Sequence, residues 1–152
     1  MEIKEIFRVN CSIQEVWEFI IDPHKIGSCL PSVQSIEVLD ETHYKAVVKQ
    51  KVGFITATFQ INTEVLEREV PNRLVLANQG KTIFGAQGSM RSQDSITLTE
   101  ISEQETEISV QSDLKMGGQL AILGAKLIES KSKEIFAEAT ANMRNKLEKG
   151  GN

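Results

Sequence analysis

The residues most able to do chemistry are few in this chain of 152: two histidines, His24 and His43, and two cysteines, Cys11 and Cys29. Their spacing fits no metal motif, since a zinc centre needs further ligands that nothing in the pattern supplies. A Cys–His nucleophile pair would have to bring together residues that the local pattern places far apart, His24 in a short helical region and His43 at a hairpin turn. Gly85-Ala86-Gln87-Gly88 is no phosphate loop, because no Lys-Ser/Thr follows it and no helix opens there. No catalytic residue, metal site or cofactor is therefore assigned. Among the remaining polar residues, Arg91, Asp94 and Tyr44 are the groups an acid–base enzyme would have to use. An inward-facing Arg91 would need a partner and could hold a carbonyl or carboxylate head group. The alternative is a solvated strand edge, because arginine is rarely buried. Gln60, Gln87 and Gln111 are weaker candidates of the same kind. Lys45, Lys49 and Lys51 share one strand face, which reads as the solvated side of a sheet or as a docking surface for an acidic partner.

The elements that must position these residues follow from composition and pattern. Forty per cent hydrophobic and 25% charged residues describe one ordinary globular domain over 1–149, with 150–152 as a short tail. A net charge of −4 argues against nucleic acid as a partner, which calls for a basic footprint. The start, MEIKEIFRVN, lacks the apolar core of a signal peptide, and the expected location is the cytoplasm. Residues 2–10 alternate as a strand. Ser12-Ile13-Gln14-Glu15 reads as a capping box that opens a short helix. Asp22-Pro23 starts a second one, closed by Gly27 and Pro31. From about Val33 to Lys115, alternating runs separated by regular turn signals predict about six antiparallel strands. A long helix is expected from about Gly118 to Lys149, stopped by Gly150-Gly151. The sum is an α+β layer, one curved antiparallel sheet with the long helix across its concave face.

The segment GGQLAILGAKLI (117–128) is too short to span a bilayer, which takes about 20 apolar residues. Treated as helix, its inward face continues the stripe of Ile135, Phe136, Ala139 and Met143 backwards onto Ile128, Ala125, Gly124 and Ala121. Such small residues either let the helix sit close to the sheet or leave volume for an apolar molecule. Leu120, Leu123 and Leu127 fall to one flank. They are expected to pack beneath the second short helix, the alternative being an exposed ridge for a partner or membrane. Trp17 is expected to pack between the first helix and the sheet.

VWEFIIDPHKIGSCLPSV (16–33), Val52-Gly53, Pro71 and DLKMGGQLAILGAKLIES (113–130) together resemble the CoxG-type accessory proteins of carbon monoxide dehydrogenase. That family belongs to the START/polyketide-cyclase-like superfamily of helix-grip proteins. The resemblance covers nearly the whole chain. It implies a helix-grip fold of about seven strands wrapped around the C-terminal helix. It also implies a hydrophobic cavity, and a non-enzymatic role beside molybdenum hydroxylases of the carbon monoxide dehydrogenase type. The ligand would be lipid- or quinone-like. Many relatives continue into a tail suspected of membrane attachment. The end at Lys149-Gly150-Gly151-Asn152 weakens an anchor role and leaves the carrier role, with peripheral contact at the inner face of the membrane as a second location. GGQLAILGAKLI then becomes cavity wall. The cavity residues expected are Trp17, Pro31, Phe54, Phe59, Phe84, Met90, Met116, Leu120, Ala121, Gly124, Ala125 and Ile128, with Arg91 as the polar contact. The alternatives are a cyclase/dehydratase-like enzyme using Arg91, Asp94 and Tyr44, and a docking protein with no ligand that recruits the dehydrogenase to the membrane.

Overall fold

The computed structural model describes residues 1–148; the expected helix end at Lys149, its Gly150-Gly151 stop and the 150–152 tail lie outside the described residues. Strand β1 (Glu2–Val9) is followed by α1 (Ile13–Ile20) and α2 (Pro23–Gly27). Six strands then run without interruption: β2 (Val33–Asp40), β3 (His43–Val52), β4 (Ile55–Glu69), β5 (Arg73–Gly85), β6 (Gly88–Ser102) and β7 (Glu105–Gly118). Each pairs antiparallel with the next, and β1 closes onto β7, giving one seven-stranded sheet in the order β1-β7-β6-β5-β4-β3-β2. Helix α3 (Ala125–Glu148) lies over the concave face, with its closest approaches to β1 and β3 at the two flanks of the sheet.

Local chemistry accounts for the element starts. The Ser12 hydroxyl accepts from the Glu15 N–H, while the Glu15 carboxylate turns to the Cys11 thiol (2.8 Å) instead of reaching back to the Ser12 amide. The capping box is thus half-formed. Asp22 caps α2 by accepting from the amides of His24 and Lys25. Cys11 and Cys29 are both free and buried.

The segment before α3 departs from expectation. Residues Gln119–Leu123 form a 3-10 turn, and the α-helix begins only at Ala125. Gly118 (φ 67°) and Gly124 (φ 83°, ψ 154°) sit in backbone conformations that side chains disfavour, and these two positions end the helical path backwards from α3. A helical wheel drawn through Gly124 therefore misplaces everything before it. Ala121, Gly124 and Ala125 are exposed, not inward. Leu120 is buried, but against Ala57 and Phe59, and not beneath α2. C-terminal to Gly124 the expected stripe stands: Phe136 meets Phe7 edge-on at 6.0 Å, and Met143 is buried.

Two apolar clusters result. The larger joins α1, β1, the far ends of β4–β7 and the last turns of α3, and includes Val9, Val16, Trp17, Leu98 and Ile108. The smaller holds Ala57, Phe59 and Leu120, with Ile55, Ile61, Met90, Met116 and Leu123 against it.

Candidate ligand cavity

Strand pleat decides which residues see the space under α3. On β4 the inward set is Ile55, Ala57, Phe59, Ile61 and Thr63. The register then brings Val48 opposite Phe59, Gly80 opposite Ile61 and Met90, and Met116 opposite Met90. These side chains, with Leu114 and Leu120, form the floor of a pocket of about 190 Å³. Its roof is Ile128, Lys131, Ser132 and Ile135 of α3. Gln50 also lines it, tied to Ser32 by a hydrogen bond of 2.7 Å. The Lys131 ammonium lies 3.7 Å from Glu134, and the Ser132 hydroxyl donates to the Ile128 carbonyl, so neither is unpaired. The pocket is otherwise apolar and suits hydrocarbon or a ring.

Of the residues expected at a cavity, Phe59, Met90, Met116, Leu120 and Ile128 line this one. Trp17 lies in the larger core, where α1 presses it on the sheet. Pro31 is exposed in the loop before β2. Phe54, at the β3–β4 turn, is 90% exposed, and Phe84, at the end of β5, is 71% exposed. Ala121, Gly124 and Ala125 are displaced by the break at Gly124. Arg91 points away from the cavity on the convex face, beside its cross-strand neighbour Lys115. Arg91 and Asp94 are three residues apart on one strand, so the pleat sends them to opposite faces and they form no pair. Sequence reasoning passed over Val48, Gln50, Ile55, Ile61, Leu114, Lys131 and Ser132 as cavity residues. The period-2 pattern of β3 and β4 carries the signal for the strand positions among them.

Behind the pocket floor the concave face turns polar. Thr63 donates to Asn78 (2.6 Å), and Asn78 donates to Ser92 (3.1 Å) and to the Asp94 carboxylate (2.9 Å). Ser112 donates to the other Asp94 oxygen at 2.6 Å. Burial pushes the Asp94 carboxyl above the usual carboxylate range, against the lowering effect of hydrogen bonds from Ser112, Ser92 and Asn78. The other inward acid–base candidate, Tyr44, accepts a hydrogen bond of 3.0 Å from Arg68 at the far edge of the sheet. Burial and the Glu15 carboxylate hold the Cys11 thiol up at about 12, and burial raises Cys29 too, so both stay protonated and unreactive. Among the described residues no group of three His, Cys, Asp or Glu is placed to hold a metal.

The match to known proteins agrees with this architecture. The family model for CoxG, the G component of carbon monoxide dehydrogenase, matches residues 6–148. The chain belongs to that family. No curated protein sequence matches it. Among solved structures, a conserved protein from Geobacillus kaustophilus superposes with a TM-score of 0.89 at 20% identity, covering 98% of this chain and 96% of its own. A START superfamily protein from Mycobacterium smegmatis gives 0.74 at 9% identity, covering 97% of each chain. The Zhui aromatase/cyclase from Streptomyces sp. R1128 gives 0.61 at 12% identity, covering 97% of this chain and 90% of its own. At these identities the likeness is one of fold, the START-like helix-grip. Among the described residues of this CoxG-family chain, no helix is long and apolar enough to cross a membrane.

Proposed function

We propose that this CoxG-family protein is a non-enzymatic carrier of a lipid- or quinone-like molecule, serving a molybdenum hydroxylase of the carbon monoxide dehydrogenase type. The observation that carries the reading is the pocket between β3, β4, β6, β7 and α3, apolar except for Gln50, Lys131 and Ser132. At about 190 Å³ it is smaller than the ~300–1,000 Å³ of drug-sized sites. It takes a ring or a short stretch of alkyl chain, and the rest of a long ligand lies along the half-buried groove or emerges at the mouth.

The rim supports a membrane surface as the place of exchange. Phe54, Phe84 and Ile122 (78% exposed) project from three neighbouring segments beside the pocket residues Val52, Ile55, Leu120 and Leu123. Residues 49–61, 79–92 and 114–128 carry Lys49, Lys51, Lys81, Arg91, Lys115 and Lys126 and no acid, although the chain as a whole is negative. All of these cations are exposed. Apolar tips backed by cations suit an anionic bilayer, whose surface attracts each basic residue by about 1 kcal/mol.

Native mass spectrometry of the purified protein, followed by organic extraction, tests the carrier reading. Near-stoichiometric isoprenoid or fatty material is expected. A ligand-free spectrum that stays unchanged after incubation with quinones and lipids rules the carrier out. The rim is tested by co-sedimentation with vesicles of phosphatidylcholine alone and with added phosphatidylglycerol. Binding should need the anionic lipid and be lost in Phe54→Ser/Phe84→Ser/Ile122→Ser.

Asp94 favours a second reading, a cyclase-like enzyme, because a buried carboxyl of raised pKa suits acid–base work. With Arg91 on the convex face and Tyr44 engaged by Arg68, it has no partner of the kind such chemistry uses. Turnover of a linear polyketide thioester, abolished in Asp94→Asn, would establish that reading.

A further inference from the structure

Asp94 is a buried carboxylate without a cation, and none of the groups that act on its ionisation is a positive charge. Its place in the sheet is defined by register. Thr63, Asn78, Ser92 and Leu114 form one inward row across β4–β7, and Val65, Leu76, Asp94, Ser112 and Ile3 form the next. Leu114 belongs to the pocket wall, so the polar row begins where the pocket ends. Helix α3 makes its close approaches over β1 and β3. Over the middle strands the inward-facing Leu76, Asn78, Asp94, Ile96, Val110 and Ser112 are consequently only half-buried. Protein does not fill that space, and the pocket continues towards the carboxylate.

The hydrogen bonds there have one direction. Thr63 fixes the Asn78 amide by donating to its carbonyl oxygen, which turns the Asn78 NH₂ onto Ser92 and Asp94. Ser112 donates from the other side. The row is built around an acceptor. An ionised carboxylate accepts at about four lone-pair sites, and Asp94 receives one bond on each oxygen from Asn78 and Ser112, so capacity remains.

We propose that Asp94 is the head-group site of the cavity, accepting a hydrogen bond from an O–H donor (an alcohol, phenol or quinol) at the polar end of an otherwise apolar ligand. This rests on the carrier reading and deepens it by naming the ligand's polar end. A ketone or quinone oxygen would set its lone pairs against the carboxylate, and a fatty carboxylate would add a second negative charge. The cavity therefore selects a reduced, hydroxyl-bearing form over its carbonyl counterpart. No bond is made or broken.

The experiment is titration of the full chain, by calorimetry under argon, with a decyl-substituted benzoquinol and with the corresponding benzoquinone. The quinol is expected to bind at least about tenfold more tightly, a modest value for a site whose polar group would otherwise go unmatched. Asp94→Asn should bring the two within about twofold while keeping its thermal transition. In the unaltered protein, the Asp94 side-chain ¹³C resonance should move with quinol and stay in place with quinone, a readout that needs no variant to fold. Equal affinity for the two forms, a preference that survives in Asp94→Asn, or a carboxyl resonance indifferent to quinol overturns the head-group site and leaves the carrier standing. Binding of neither form overturns the carrier reading and this site with it.

Discussion

The two ends of the concave face are lined by similar residues and are finished in opposite ways. At the end holding Val9, Trp17, Leu98 and Ile108, α1 and the last turns of α3 close the sheet. There α3 is pinned: Asn142 donates to the Cys29 carbonyl (2.9 Å), Arg144 to the Arg8 carbonyl (3.1 Å), Lys146 to Ser28, and the Asn10 amide to Glu148 (2.7 Å). At the end holding Phe59, Met90 and Met116, no such bond or ion pair joins 125–135 to the sheet among the described residues. The polar contacts of that half of the helix run along the helix itself, as in Lys133–Glu129 and Ser132–Ile128. Stability belongs to the closed end, and the binding volume sits under the half of the helix held only by apolar contact. An element with few cross-links opens at lower free energy than a pinned one, so the first turns of α3 are where a ligand would enter.

The largest effect that separates the two ends is on stability. Leu98→Ala in the closed core should lower the unfolding free energy by about 2–5 kcal/mol, because the surrounding side chains cannot collapse into the space. Met116→Ala in the open pocket should cost about 1 kcal/mol, since part of its surface already lacks a protein neighbour. Urea unfolding of both variants checks this, and equal losses would mean that the pocket end is packed like the core.

Next in size is a change in binding. Ser132→Leu places a larger apolar side chain in the pocket roof at a site where the hydroxyl bonds only its own helix. Ligand occupancy by native mass spectrometry should fall about tenfold, equivalent to about 1.4 kcal/mol, with the thermal transition unchanged or higher. A variant that keeps full occupancy would place the ligand elsewhere.

Smaller again is the effect at the junction. At Gly124 an added Cβ would meet nothing within 4 Å, so Gly124→Leu cannot fill the cavity as a helical reading suggests. Its φ of 83° instead predicts a backbone cost of about 1–2 kcal/mol in thermal unfolding, of similar size for Gly124→Ala.

That contrast marks how far the sequence could be read. The strand order, both short helices and the antiparallel meander follow from alternation and turn residues, because each is a local property of the chain. Phe59, Met90, Met116, Leu120 and Ile128 were legible as cavity candidates as apolar residues in an apolar context. The errors share one cause: in GGQLAILGAKLI, a glycine that continues a helix and a glycine at positive φ are written with the same letter. With Gly124 treated as helical, Ala121 and Ala125 turn inward on paper and outward in the molecule. Phe54 and Phe84 look like core by residue type, yet stand at the end of strands where nothing covers them. The face of Asp94 was not legible either, because its strand mixes polar and apolar residues on both sides until the register with Asn78 and Ser112 is known.

The final contrast is electrostatic and sets Asp94 against Asp40. At the exposed β2–β3 turn, hydrogen bonds from the Thr42 amide and from His43 draw the Asp40 carboxyl down to about 2. Between the two apolar clusters, burial drives Asp94 the other way. The linkage signs are opposite. Asp40 is more acidic in the folded state than in the unfolded one, so its contribution is present above pH 3.8 and fades as pH falls towards about 2. Asp94 is less acidic when folded, so the native state binds its proton more readily. Its unfavourable contribution is full above its raised pKa and fades as pH falls through that value towards 3.8. Lowering the pH from 7 towards 4 should therefore favour the unaltered protein over Asp94→Asn in urea midpoint, while Asp40→Asn shows no such crossing in that range. If the gap between the unaltered protein and Asp94→Asn is the same at pH 7 and pH 4, Asp94 keeps an ordinary carboxylate's acidity. The polar row would then be as well solvated as the outside of the sheet, and the unfilled space under α3 would hold bulk water rather than await an apolar ligand.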